Sequence, residues 1–210
     1  PEEIDYKNNL LETAVVCDSV ATPLKIIKKA RISSFDKVGG IGAGGGLGIH
    51  MLKMLKLNNI SAIGIDTKTE KINTRTENGA EFSISPMEND LKNKIADFSK
   101  SNDLDVVIDF VSSKSSLELG CSILGKGGRL VTLGGSGEQF LANSADMLVK
   151  ELELIGSRYC TKQELKESLD LYARGLIEPL VSVKTDFDGA EGLHDKIEKG
   201  EITGRAGILI

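Results

Sequence analysis

Seven of the chain's 23 glycines fall between Gly39 and Gly48, where the sequence reads Val38-Gly-Gly-Ile-Gly-Ala-Gly-Gly-Gly-Leu-Gly48. Glycine at that density, set between two apolar segments, removes the Cβ atoms that would otherwise keep a ligand away from the backbone. An apolar run compatible with a helix follows at once: Ile49, Met51, Leu52, Met54, Leu55 and Leu57. The pattern is that of a strand, a tight turn and a helix start. The first unpaired N–H groups of such a helix and the positive end of its dipole suit a phosphate, so the segment is a candidate pyrophosphate cradle. The spacing Gly42-x-x-Gly45-x-x-Gly48 is regular, with Gly44 also placed for close approach.

A second feature points the same way. Ile60-Ser-Ala-Ile-Gly-Ile-Asp66 reads as a short apolar strand ending in a carboxylate, 18 residues beyond Gly48. An acid there can accept both hydroxyls of an adenosine ribose, and its charge would repel a 2′-phosphate, which predicts NAD over NADP. The structural alternative is that Asp66 caps a following helix. Lys68 and Lys71 are the features that favour NADP.

The remainder alternates between helix and strand. A polar helix is expected over 68–78, a strand over 81–85, a charged amphipathic helix over 88–101 and a buried strand over 105–109. A helix at 115–124, stopped by Gly125 to Gly128, a strand at 129–133 and a sixth strand at 151–157 complete the pattern. This is an α/β chain with a doubly wound, parallel six-stranded Rossmann sheet, whose ligand crevice lies at the carboxyl ends of its strands. Glycines within the first strand, at 39 and 40, predict a less stable nucleotide edge.

With 210 residues, 40% of them hydrophobic, the chain can bury one aliphatic core and an appendage. A net charge of −5 with scattered Lys and Arg argues against nucleic-acid and membrane-surface partners. Three isolated cysteines, Cys17, Cys121 and Cys160, form no paired motif and predict a reducing, cytoplasmic setting. No apolar run approaches the roughly 20 residues of a membrane span.

Taken in order, Thr22-Pro23, GAGGGLGIH at 42–50, Asp66, Asn78-Gly-Ala80, DVVIDFV at 105–111, GKGGRLVTLG at 125–134, ELIGS at 153–157 and Gly204-Arg205 resemble the medium-chain dehydrogenase/reductase superfamily, in its zinc-type alcohol dehydrogenase branch. The likeness spans nearly the whole chain. It implies a pyrophosphate turn at Gly42, Gly44, Gly45 and Gly48, a ribose acceptor at Asp66 and an ammonium near that ribose at Lys71. Arg205 matches an arginine that reaches back to the pyrophosphate. Val111, Leu133 and Ser157 match places where backbone groups hold the nicotinamide carboxamide. Thr22 matches a residue that packs on the nicotinamide face, although Thr22 followed by Pro23 also reads as a helix N-cap.

Asp18, four residues before Thr22, matches the third protein ligand of the family's catalytic zinc. Such a zinc takes three protein ligands and keeps an open position. The resemblance implies that the other two ligands lie in a GroES-like catalytic domain, so zinc is expected only in a full-length or complemented form. His50 and His194 have no companions at metal-ligand spacing. The implied organisation is a catalytic-domain end at 1–19, the NAD-binding Rossmann domain at 20–157 and a segment returning to the catalytic domain at 158–210.

The implied activity is NAD-linked oxidation of an alcohol to an aldehyde or ketone, with the isolated chain binding cofactor without turnover. The alternatives are a zinc-independent NADPH enoyl or quinone reductase, a non-catalytic nucleotide-binding module, and half of a split enzyme. Expected partners are an alcohol or carbonyl substrate, a second copy of the chain and a separate catalytic-domain chain. Leu24 and Lys25 stand where the family often continues with an aromatic residue and His, which argues against a histidine proton shuttle from this segment.

Overall fold

The computed structural model of the chain describes residues 9–68, 72–101 and 103–210. The first strand, β1 (Lys37–Ile41), lies between β2 (Ser61–Ile65) and β4 (Leu104–Asp109). Outward from β2 comes β3 (Ser83–Ile84), and outward from β4 come β5 (Leu124–Thr132) and β6 (Glu153–Gly156). The six-stranded sheet therefore runs β3-β2-β1-β4-β5-β6, every pairing parallel. The direction of winding reverses between β1 and β4, which opens a crevice at their carboxyl ends.

Alternation along the strands sorts side chains to two faces, because successive Cβ atoms point opposite ways. Val38, Ala62, Val106, Ile108 and Val131 pack with Ile26 of α2 (Ala21–Lys29) and with Ile49, Leu52 and Leu55 of α3 (Gly46–Leu57). Ile63, Ile65, Val107 and Leu130 pack on the other face with Leu91, Ile95 and Phe98 of α5 (Leu91–Ser99) and Leu117 of α6 (Lys114–Ser122). A strand buried on both faces reads as a continuous apolar run, as 105–109 does.

The glycines of β1 do not interrupt it. All five residues pair with β2, and a Cβ on Gly39 would stand 2.6 Å from Leu104 Cδ1, so the neighbouring strand's side chain fills the space. The strand expected at 129–133 begins earlier, at Leu124. A bulge between Leu104 and Val106 absorbs the Gly125–Gly128 stretch, which was expected only to stop a helix.

At the amino-terminal side, α1 (Leu10–Val15) runs without a break through a π-helical turn, Val16–Val20, into α2. The N-cap reading of Thr22 is thereby overturned: Thr22 is inside a helix, and the residue preceding α2, Val20, makes no side-chain cap. The Asp66 cap reading fails too, because residues 67 and 68 are not helical and the Asp66 carboxylate accepts instead from Lys68 N (3.0 Å). The described part of the next helix, α4, spans Ile72–Glu77. Beyond the sheet, α7 (Ser144–Lys150) precedes β6, and α8 (Lys162–Ala173) packs with Val16, Val20 and Met54 through Leu169, Leu171 and Tyr172. A second, two-stranded parallel sheet joins β7 (Val181–Thr185) to β8 (Arg205–Ile208) around α9 (Ala190–Glu198). No helix among the described residues is long and apolar enough to cross a membrane.

Candidate functional site

The turn after β1 has the geometry its glycines suggest. Gly42 adopts φ +77°, a left-handed conformation that favours glycine, and its N–H donates to Ile65 O (2.8 Å). Gly45 precedes α3 in extended conformation and donates to Gly42 O (3.1 Å). The first amide bonded back along α3 is Ile49 N, to Gly45 O (3.0 Å), so the amides of Gly46, Leu47 and Gly48 form the helix's donor-rich first turn. A Cβ on Gly48 would come within 2.6 Å of Ala43 Cα and Gly42 O, which explains the third glycine as a packing requirement. Gly46, which sequence reasoning passed over, has its own reason. A Cβ there would lie 2.8 Å from Gly204 O and 2.9 Å from Arg205 Cδ, so it admits the segment leading into β8.

That turn lines a cleft of about 560 Å³ together with Asp66, Lys68, Val111 and Arg205. Asp66 faces the turn: its Oδ2 accepts from Gly44 N (2.7 Å). Fully buried Arg75 stands behind the carboxylate, with Nη1 3.8 Å from Oδ2, a partner no sequence pattern disclosed. Lys71 lies outside the described residues. A second cleft of about 740 Å³ shares Leu47 with the first and is lined by Asp18, Leu133, Gly134, Ser157 and Tyr159. The candidate residues thus divide between a turn-and-carboxylate end and a far end.

At the strand ends along both clefts, several backbone donors are already committed. Val111 N donates to Asp109 Oδ1 (2.9 Å), Leu133 N to Asp109 O (3.2 Å) and Ser157 N to Thr132 O (3.0 Å). What those residues can still offer a ligand is carbonyl oxygen and, at Ser157, a side chain: its buried Oγ has no hydrogen-bond partner among the described residues. Asp109 was also missed. Its buried carboxylate accepts from Val111 N, Ser112 N (2.9 Å) and Ser116 Oγ (2.6 Å), holding Ser112 at φ +55° and pushing Val111 outward until it is 48% exposed. Thr22 lines neither cleft; it is buried, with its hydroxyl donating to Asp18 Oδ1 (3.2 Å), and Asp18 lines the second cleft.

Two residues with separate expected roles meet each other. Arg205 Nη2 pairs with Asp18 Oδ2 at 2.6 Å, and Arg205 Nε donates to Ser19 Oγ. The π-helical turn presents both partners, Asp18 and Ser19, to β8. No group of three His, Cys, Asp or Glu side chains able to hold a metal occurs among the described residues. Cys17 Sγ contacts Thr13 O, and Cys160 Sγ lies 4.0 Å from Cys17 O. Asp18 is held by Arg205, and the described residues provide no companion ligands, so they supply at most one of the three protein ligands that such a zinc centre takes.

His50 proves structural. Leu180 N donates to its Nε2 (2.9 Å), which leaves Nδ1 to donate to Gly46 O (2.6 Å), and burial lowers its pKa to about 4. His194 is exposed on α9.

Residues 46–174, more than half of the chain, match the family described as zinc-binding dehydrogenase. The chain belongs to that family. It is a member of the medium-chain dehydrogenase/reductase superfamily and corresponds to the cofactor-binding region of such enzymes. The chain is 28% identical over 194 residues to the NAD-dependent alcohol dehydrogenase of Sulfolobus acidocaldarius, covering 91% of this chain and 55% of the relative. It is 26% identical over 182 residues to the acryloyl-coenzyme A reductase of Metallosphaera sedula, covering 84% and 52%. The alcohol dehydrogenase structure from Aeropyrum pernix superposes with a TM-score of 0.88 at 26% identity, covering all of this chain and 60% of that one. The chain thus spans little more than half the length of the relatives it matches.

Proposed function

We infer that this chain is the dinucleotide-binding portion of an NAD(P)-linked oxidoreductase, with 20–157 as the nucleotide domain and 1–19 and 158–210 belonging with a catalytic domain. One observation carries this reading: a glycine turn, a helix start and a strand-end carboxylate bonded to that turn together line a cleft at the carboxyl ends of the sheet. The dinucleotide, when bound, supplies the hydride donor or acceptor at nicotinamide C4. This chain's part is to hold and orient it. The amides of Gly46, Leu47 and Gly48 would meet the pyrophosphate, and Gly42, Gly44 and Gly45 would let it approach. Asp66 would accept from the adenosine ribose, with Lys71 as a second contact. Ser157 Oγ, with the Val111 and Leu133 carbonyls, would take the carboxamide. Arg205 would turn from Asp18 towards the pyrophosphate.

Zinc-assisted alcohol oxidation would need two further ligands and the release of Asp18 from Arg205. The Asp18–Arg205 pair therefore favours a second reading: zinc-independent reduction of an enoyl or quinone type, or a binding module completed by another chain. The similarity to an acryloyl-coenzyme A reductase supports the same direction. A fluorescence titration with NADH and NADPH tests the cofactor reading. Saturable binding that Asp66→Ala weakens at least about tenfold supports it, since the variant removes a charged hydrogen-bond acceptor. The absence of binding by either nucleotide would reduce the reading to common ancestry. Metal analysis of the chain complemented by the catalytic domain of a relative, with Asp18→Ala as control, separates the two chemistries: stoichiometric zinc lost in the variant would restore the alcohol dehydrogenase reading.

A further inference from the structure

Arg75 is the largest fully buried side chain among the described residues, and it sits directly behind the carboxylate that faces the cleft. Its Nε donates to Ser83 Oγ on β3 (2.9 Å), its Nη1 donates to Lys68 O (3.0 Å), and the same Nη1 stands 3.8 Å from Asp66 Oδ2. Two glycines make the room. A Cβ on Gly64 would lie 2.9 Å from Ser83 Oγ and 3.0 Å from Arg75 Cδ, and one on Gly44 would lie 2.8 Å from Asp66 Oδ2 and 3.0 Å from Arg75 Nη1. The glycine turn, the centre of β2 and α4 are thus fitted around one guanidinium.

Packing alone does not explain this arrangement. An apolar side chain of similar volume fills a buried space at least as well as a buried charge, whose desolvation offsets much of its attraction to a partner. The consequence particular to arginine is electrostatic, and it falls on Asp66. That carboxylate is only 13% exposed, is held by the amides of Gly44 and Lys68, and faces the place where an adenosine 2′ position would sit. A bare carboxylate there repels a 2′-phosphate strongly. A fixed positive charge on its protein side opposes that repulsion without removing the acceptor that a 2′-hydroxyl needs. Lys68 adds to the same field: it lines the cleft, its Nζ bonded to the carbonyls of Lys199 (3.1 Å) and Gly200 (2.9 Å).

We propose that Arg75 is a specificity-determining residue, a buried counter-charge that relaxes the discrimination of Asp66 so that the site accepts NADPH as well as NADH. This rests on the reading of the cleft as a dinucleotide site. Arg75 does not touch the nucleotide; it acts through Asp66.

The test is a pair of fluorescence titrations, NADH and NADPH, on the wild-type chain, Arg75→Met and Arg75→Lys, with circular dichroism to verify folding. The wild-type chain binds both nucleotides with affinities within about tenfold of each other. Arg75→Met, which keeps the length and removes the charge, weakens NADPH at least about tenfold relative to NADH, the scale expected of a nearby charge in a partly buried site. Arg75→Lys retains the wild-type ratio. An unchanged ratio in Arg75→Met, or equal losses for both nucleotides, assigns Arg75 a purely structural part and overturns the proposal while leaving the cofactor reading intact. If Arg75→Met does not fold, the wild-type ratio decides: a preference for NADH above about a thousandfold means that Asp66 acts unopposed. Failure of the wild-type chain to bind either nucleotide overturns both the proposal and the reading beneath it.

Discussion

Gly46 occupies the first position of α3, where alanine would ordinarily favour the helix by up to about 1 kcal/mol. Its surroundings reverse that expectation. The Cβ would meet the Gly204 carbonyl at 2.8 Å, and a backbone atom cannot step aside as a side-chain end can. Gly46→Ala should therefore lower the thermal midpoint in spite of the better helix former, and weaken NADH binding by displacing Arg205; a raised midpoint would show that the β8 segment yields easily. Asp109 makes the complementary case. Asp109→Ala leaves two backbone amides without their acceptor, and the loss falls mainly on Ser112 N, the buried one, at about 1–3 kcal/mol, with less at the more exposed Val111. Urea unfolding should register that loss as a midpoint shift with an unchanged slope. The turn glycines and Asp66 were legible in the sequence because their chemistry is local. Asp109 and Arg75 were not, since an acid ending an apolar strand and an arginine in a polar helix acquire their partners only when the chain folds back.

Among the elements, α3 is tied to the carboxyl-terminal segment by one imidazole, His50, which accepts from Leu180 N and contacts Gly46 O at the helix's cofactor end. Burial holds its pKa near 4, against an ordinary value of 6.5. The unfolded chain therefore takes up a proton below about pH 6.5 that the folded chain refuses until about pH 4. Stability should fall through that window by about 3 kcal/mol in all and be unaffected by this group above it. Glu12, whose pKa is lowered chiefly by its bond to Lys184, also loses stabilisation as the pH falls, so the comparison must be with a variant. Denaturant midpoints of wild type and His50→Gln at pH 7 and pH 4.5 isolate the imidazole: the wild type should lose more on acidification, and parallel losses would refute the assignment. The sequence shows only that His50 lacks metal-ligand companions; its two bonding partners come from the fold. Other element features escaped for similar reasons. Thr22-Pro23 looks like a helix start until the helix before it is seen to continue through a π-helical turn, and the early start of β5 depends on a bulge that only pairing with β4 reveals.

At the scale of the whole molecule, the doubly wound six-stranded sheet was legible because each buried strand is a compact apolar run separated from the next by helical periodicity, whereas the order of the strands across the sheet comes from their pairing. The small β7–β8 sheet was not legible, because its residues are only partly covered and carry no such run. Yet this sheet and its connections wall one side of the cleft. Its attachments to the rest of the chain include Arg205 to Asp18 of the amino-terminal segment, Lys68 to the Gly200 carbonyl, Lys53 to the Glu178 carbonyl (2.7 Å) and the His50 staple. Each joins groups more than 100 residues apart, so the cleft exists only in the folded state and a nucleotide lodged there binds that state alone. Ligand at a hundred times its dissociation constant then adds about 2.7 kcal/mol, which for a chain of this size raises the thermal midpoint by about 5–10 °C. Because the nucleotide would contact both bodies, amides of β7 and β8 should gain hydrogen-exchange protection together with those of the glycine turn. Protection confined to the turn would mean that the nucleotide engages the Rossmann sheet alone and that Arg205 stays with Asp18.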